Sequence, residues 1–225
     1  MPNLRRRRAG DLGAVVIETK VIDLSAEQPL VARAVRGKFH HKRDKSGRIV
    51  MRKPEDVLGI TIHQTACVFG PAGDPVRKHR RALDVAAHVT AFQDGTVVQG
   101  HPLAAYVWHG NSLNGFTIGL ECEGLFAGVR VPGHDQVSDQ ALASFCKGVE
   151  YIVERGRGEG MPVNYIWAHR QSSSSRRGDP GGEIWQKVVI EYAVNALGLK
   201  TRVNEHFDTG RSIPKSWDAS GSGEY

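Results

Sequence analysis

The spacing of apolar side chains changes along this chain, and each change marks an element. Gly59-Ile60-Thr61-Ile62-His63 alternates apolar and polar residues, the two-residue period of a half-buried strand. Phe116–Glu123 alternates in the same way, putting Glu121 and Glu123 on one face and Cys122 on the other. Val163–His169 makes a third such run, and residues 15–22 make a fourth candidate. Ala87–Phe92 and Thr96–Gln99 are short strands joined by Gln93-Asp94-Gly95, where Asp-Gly signals a hairpin. Helical spacing takes over at Leu142, Phe145, Val149 and Ile152, after a cap at Ser138 and before a stop near Gly156. Asp74-Pro75 opens a shorter helix through Arg77–Leu83. Ile184–Leu197 is the last helix, ended by Gly198. There is no internal repeat. Interleaved helices and strands predict an α/β domain with helices packed on a mixed central β-sheet.

Length and composition narrow the class. The 225 residues suit one domain with extensions, or at most two small ones, and 40% are apolar. That balance excludes a disordered or fibrous chain. No run of 18 apolar residues exists, so no membrane insertion is expected. Cys67, Cys122 and Cys146 are too few for a disulfide framework and suit a reducing compartment. The Arg5–Arg8 run lacks the apolar stretch of a secretory signal, so synthesis in the cytoplasm is expected. Cys122 reads as a small packed residue, and Cys67 as a stray ligand candidate four residues beyond His63.

Charge is unevenly placed. Residues 1–53 carry 14 Lys+Arg against 5 Asp+Glu, whereas residues 54–225 carry 16 against 19. The first 53 residues therefore form a basic extension suited to an anionic partner: nucleic acid, an acidic wall polymer or a membrane surface. Within it, residues 36–53 read as a solvated loop or hairpin, with His40 and His41 at the surface. His79, His101, His134 and His206 are also expected at the surface. Residues 54–200 hold the ordered domain, and residues 201–225 read as a polar tail with Trp217 isolated. Residues 170–182, including Ser172–Ser175, read as a loop.

The candidate chemistry lies at strand ends. His63 and His169 each close a predicted strand, and Asp179 follows ten residues after His169. Two imidazoles and a carboxylate are a known catalytic zinc set that leaves a fourth position for water. The spacing is scattered, so arithmetic alone leaves each histidine open to a purely structural role.

Further motifs occur in a fixed order. Ile62-His63-Gln64-Thr65 is followed by Ala87-His88-Val89 and Asp94-Gly95-Thr96-Val97-Val98-Gln99. Val107-Trp108-His109-Gly110, Asn114–Glu121, and Ala168-His169-Arg170 with Asp179-Pro180-Gly181 complete the series. Together, over about residues 57–198, they resemble the zinc-dependent N-acetylmuramoyl-L-alanine amidases of the type-2 family, which includes phage endolysins and peptidoglycan recognition proteins.

The resemblance implies the type-2 amidase fold and a zinc ion held by His63, His169 and Asp179. It implies Glu121 as general base, with Glu123 as the competing carboxylate. Arg177 stands where recycling amidases place a lysine that stabilises the oxyanion; Arg keeps the charge but cannot deprotonate, and Arg176 is its alternative. His88, Trp108, His109 and Asn114 match positions around the substrate groove. For His88 and His109 a structural role stands equally open. The implied reaction is hydrolysis of the amide between N-acetylmuramic acid and L-alanine in peptidoglycan, with action on the bacterial cell wall. The expected setting is a lytic phage or prophage enzyme; a virion-associated lysin, a cytoplasmic recycling amidase and a non-catalytic peptidoglycan binder are the alternatives. Nucleic-acid binding is not expected as the function, because the basic segment lacks interleaved aromatics. The oligomeric state is open.

Overall fold

The computed structural model describes residues 17–27, 40–69, 75–126 and 136–218. Arg5–Arg8, Asp74, His134 and the start of the first predicted strand fall outside them. Among the described residues, seven strands form one sheet: β1 (Lys20–Asp23), β2 (Gly59–Gln64), β3 (Val89–Ala91), β4 (Thr96–Gln99), β5 (Thr117–Cys122), β6 (Tyr165–Ala168) and β7 (Lys200–Thr201). Their spatial order is β1-β4-β3-β5-β2-β6-β7. Only the β3–β4 hairpin pairs antiparallel, so the sheet is mixed and β2 sits between two parallel neighbours. The predicted α/β class with a mixed central sheet is what the structure has.

Helix α1 (Pro75–Arg80) is short and gives way to a 3-10 turn at Arg81–Asp84. Helix α2 (Asp139–Gly158) starts where Ser138 Oγ accepts a hydrogen bond from Ala141 N at 3.2 Å. It lays Phe145, Val149 and Ile152 on the sheet face formed by Ile60, Ile62, Ile118 and Leu120. A helical turn, α3 (Gly182–Ile184), runs into a π-helical segment at Trp185–Val194, where an ordinary helix was predicted. Its Trp185 and Val188 complete the same core.

Strand β2 departs from the half-buried expectation: both of its faces are covered. Thr61 is fully buried because its Oγ1 pairs with Thr117 Oγ1 at 2.6 Å, which satisfies both hydroxyls away from water. The basic stretch before β2 is likewise not merely solvated. Its hairpin bridges Arg43 to Ile49, and His41 and Met51 bridge to Val107 and Ala105. His41 is 2% exposed and His101 fully buried, with ring centroids 5.5 Å apart, so neither is the surface residue predicted. The polar residues after Lys200 pack down too: Val203 and Ile213 are buried, and Phe207 N and Arg211 N donate to the carbonyls of Gln171 and Arg170.

Candidate metal centre

Parallel strands end in register, and the register builds the site. His63 on β2 stands opposite Glu121 on β5, while β6 ends at Ala168 and delivers His169 next to them. His63 Nδ1 lies 3.0 Å from His169 Nδ1, and His169 Nδ1 lies 3.1 Å from Asp179 Oδ2. The third edge, His63 Nδ1 to Asp179 Oδ2, is 4.0 Å. Zinc bonds of 2.0–2.2 Å at tetrahedral angles put ligand atoms roughly 3.3 Å apart. The three donors therefore fit a zinc ion in spacing as well as in chemistry, and form one candidate metal group among the described residues.

Each donor is held from behind. Asp179 Oδ1 accepts Gln64 N at 2.9 Å, leaving Oδ2 for the cluster. Gln64 also donates from Nε2 to Gly178 O at 3.1 Å and accepts from Phe126 N. The turn carrying His169 is tied by Gln171, whose Nε2 donates to the Arg202 and Glu205 carbonyls at 2.8 Å. The segment after β7 thus braces the loop that presents two of the three donors.

Electrostatics separate Glu121 on β5 from Glu123 just beyond its end. Glu121 Oε2 is buried with no hydrogen-bond partner. Burial, and then the neighbouring Asp179 charge, push the Glu121 carboxyl well above its ordinary range, with Arg176 opposing. Glu123 is instead fully engaged. Its oxygens accept Phe69 N and Gln93 N at 2.8 Å, and Lys78 Nζ pairs with it at 3.3 Å. His63 is held well below the usual histidine value, first by burial and then by His169, His109 and Arg176.

The other residues named from sequence divide sharply. Arg176, not Arg177, lines a small cleft of about 160 Å³ with Gln64, Ala66, Ser175, Gly178 and Asp179. Both arginines are exposed, and the Arg177 carbonyl accepts from Arg170. His88 is fully buried: Nδ1 accepts Gly119 N at 2.9 Å and Nε2 faces Ala105 O at 2.9 Å. Asn114 Oδ1 accepts the backbone N–H groups of His109 and Gly110 at 2.9 and 2.6 Å. Both therefore serve the scaffold and offer no surface to a substrate. His109 touches His63 and is 6% exposed. Trp108 alone of the four stands open, at 50% exposure. Cys67 is exposed and lies outside the donor group, and Cys122 is buried as expected.

Sequence reasoning missed Arg52. It reaches under the site, donating to the Leu103 and Asn114 carbonyls at 2.6 and 3.0 Å. It sits among surface lysines and arginines in the sequence, and no spacing signal separates it from them. A larger cavity of about 570 Å³, walled by Phe116, Tyr165, Trp167 and Phe207, lies at the opposite ends of these strands, away from the three donors.

A model of the N-acetylmuramoyl-L-alanine amidase family matches residues 53–182, more than half the chain. The chain belongs to the type-2 N-acetylmuramoyl-L-alanine amidase family. No curated protein sequence matches this chain. Among solved structures, wild-type Drosophila PGRP-LB matches it with a TM-score of 0.50 at 12% identity, over 81% of this chain and 97% of that one. The endolysin amidase LysCS of Clostridium intestinale URNW gives a TM-score of 0.49 at 16% identity, over 82% and 99%. The Ph2119 endolysin from Thermus scotoductus MAT2119 bacteriophage gives 0.47 at 16% identity, over 80% and 100%. At 12% identity the PGRP-LB likeness speaks to the fold alone. Among the described residues, no helix of the chain is long and apolar enough to cross a membrane.

Proposed function

We propose that the amidase hydrolyses the amide between the lactyl group of N-acetylmuramic acid and L-alanine in wall peptidoglycan, as a zinc-dependent lytic enzyme of phage or prophage origin. The observation that carries this reading is the orphaned Glu121 carboxyl oxygen beside three converging donor atoms. His63, His169 and Asp179 would hold the zinc. Bound there, zinc supplies a Lewis acid and a hydroxide nucleophile near neutral pH.

The chain's own groups supply the rest. Glu121 takes the proton of the attacking water and returns it to the departing L-alanine amine. Its unpartnered oxygen is free to do so, whereas both oxygens of Glu123 are occupied. A cation among the donors favours the Glu121 carboxylate, opposing the upward push from burial. An arginine of the Arg176-Arg177 pair stabilises the oxyanion of the tetrahedral intermediate. Arg176 is better placed, because it lines the cleft beside Asp179. The exposed Trp108 ring offers a stacking face to the glycan or peptide. The basic first 53 residues favour an anionic wall over small soluble muropeptides.

The test is digestion of purified sacculi with mass analysis of the released peptides. New L-alanine amino termini are expected, and faster turnover on sacculi than on soluble muropeptides. Cleavage at any other bond overturns the assignment. Peptidoglycan binding without release would leave a recognition protein instead. His63→Ala and Asp179→Ala should each abolish zinc retention and hydrolysis together.

A further inference from the structure

The His63 ring has two nitrogens, and only one faces the three-donor cluster. Nδ1 lies 3.0 Å from His169 Nδ1, while Nε2 points away and lies 3.2 Å from His109 Nδ1. On its far side, His109 Nε2 lies 3.2 Å from the Thr117 carbonyl oxygen. A carbonyl oxygen accepts and cannot donate, so His109 Nε2 carries a hydrogen. The other nitrogen of a neutral His109 then has only a lone pair and must accept. That requires the hydrogen of His63 on Nε2, and it leaves the His63 Nδ1 lone pair aimed at the cluster.

Three restraints keep the His109 ring in this pose. Its backbone N–H is held by Asn114 Oδ1 at 2.9 Å. The ring lies flush on Gly119 of β5, where a Cβ would come within 2.7 Å of His109 Cγ. His88 packs edge-on against it, with ring centroids 5.3 Å apart, and is itself anchored through Nδ1 to Gly119 N.

We propose that His109 is a positioning residue: through the Thr117 carbonyl it fixes the His63 tautomer that presents Nδ1 to the metal. This rests on the zinc reading above, but the tautomer itself does not. Metal-ligating histidines commonly donate their second N–H to a carbonyl or carboxylate. Here a second imidazole carries that restraint to the backbone.

Two measurements test it. In metal-free protein with 15N-labelled histidine, NMR should show His63 protonated at Nε2 and bare at Nδ1. A hydrogen on Nδ1 overturns the proposal. The second is zinc affinity by chelator competition in His109→Phe and His109→Gln. Phe keeps the ring and removes both nitrogens, so affinity should fall roughly 10–100-fold. Gln retains one acceptor and one donor and should recover most of that loss. A folded His109→Phe protein that binds zinc as tightly as the parent overturns the relay. If the parent itself binds no zinc, the metal reading fails, and the tautomer measurement still decides the relay on its own. The same measurement stands if His109→Phe does not fold.

Discussion

At the scale of single residues, two glutamates two positions apart have opposite fates, and the difference is measurable. Glu121 has a buried oxygen with no partner and a carboxyl pushed well upward by burial. A folded-state value above the unfolded one means that ionising this group costs the metal-free fold stability above pH 4.5. Glu121→Gln should therefore leave the metal-free melting temperature unchanged or raised. The same change should keep zinc bound and cut turnover by roughly 10²–10⁴. Near-parent rates in this variant would remove Glu121 from the reaction. The arginine pair separates in the same manner. Arg176→Ala should lower kcat by about 10², and Arg177→Ala should have a far smaller effect. Steady-state kinetics on sacculi would show the reverse order if Arg177, which does not line the cleft, were the oxyanion group.

At the scale of elements, Glu123 shows what the end of β5 does for the fold. It gathers the backbone of Phe69 and Gln93 and the ammonium of Lys78 around one buried carboxylate. Glu123→Ala should cost at least about 2 kcal/mol, because two N–H groups lose their acceptor. Urea titration of the metal-free protein measures this, with zinc affinity as the control for a local effect. The strands themselves were legible from their two-residue period, as was the hairpin from Asp94-Gly95 and the α2 cap from Ser138. What a period cannot carry is what lies on the polar face. Thr61 and Thr117 look solvent-facing in sequence, yet they satisfy each other in the interior. The π-helical stretch after Ile184 left no mark, since its apolar residues suit either helix. The metal donors were legible only through the order of motifs, because His63 and His169 meet across 106 residues. His88 and Asn114 carried the same motif signal but are fastened to backbone groups, a distinction that needs the hydrogen bonds. Residues beyond Lys200 read as a tail for want of periodicity, although they brace the His169 loop.

For the whole molecule, the buried histidines tie stability to pH. Burial first, then the charges of His41 and His40, hold His101 down at about 3. Burial and then Arg52 hold His109 down, also at about 3. An unfolded histidine titrates near 6.5. Between these values the unfolded chain binds more protons than the folded one, so folding stability rises with pH. The contribution is complete above about 6.5 and drains away as pH falls toward 3. Each ring costs about 1.4 kcal/mol per pH unit below 6.5, so the pair removes roughly 4 kcal/mol at pH 5. His101 lies at the seam where the Arg43–Ile49 hairpin meets the domain, and His109 lies behind the metal donors. Acid therefore attacks the support of the site and the docking of the basic segment together. Urea unfolding of the chelator-treated Glu121→Gln variant, which removes the opposing titration of Glu121, should show that loss between pH 7.5 and pH 5. An unchanged midpoint would mean that these rings take up protons in the folded state, and that water reaches them.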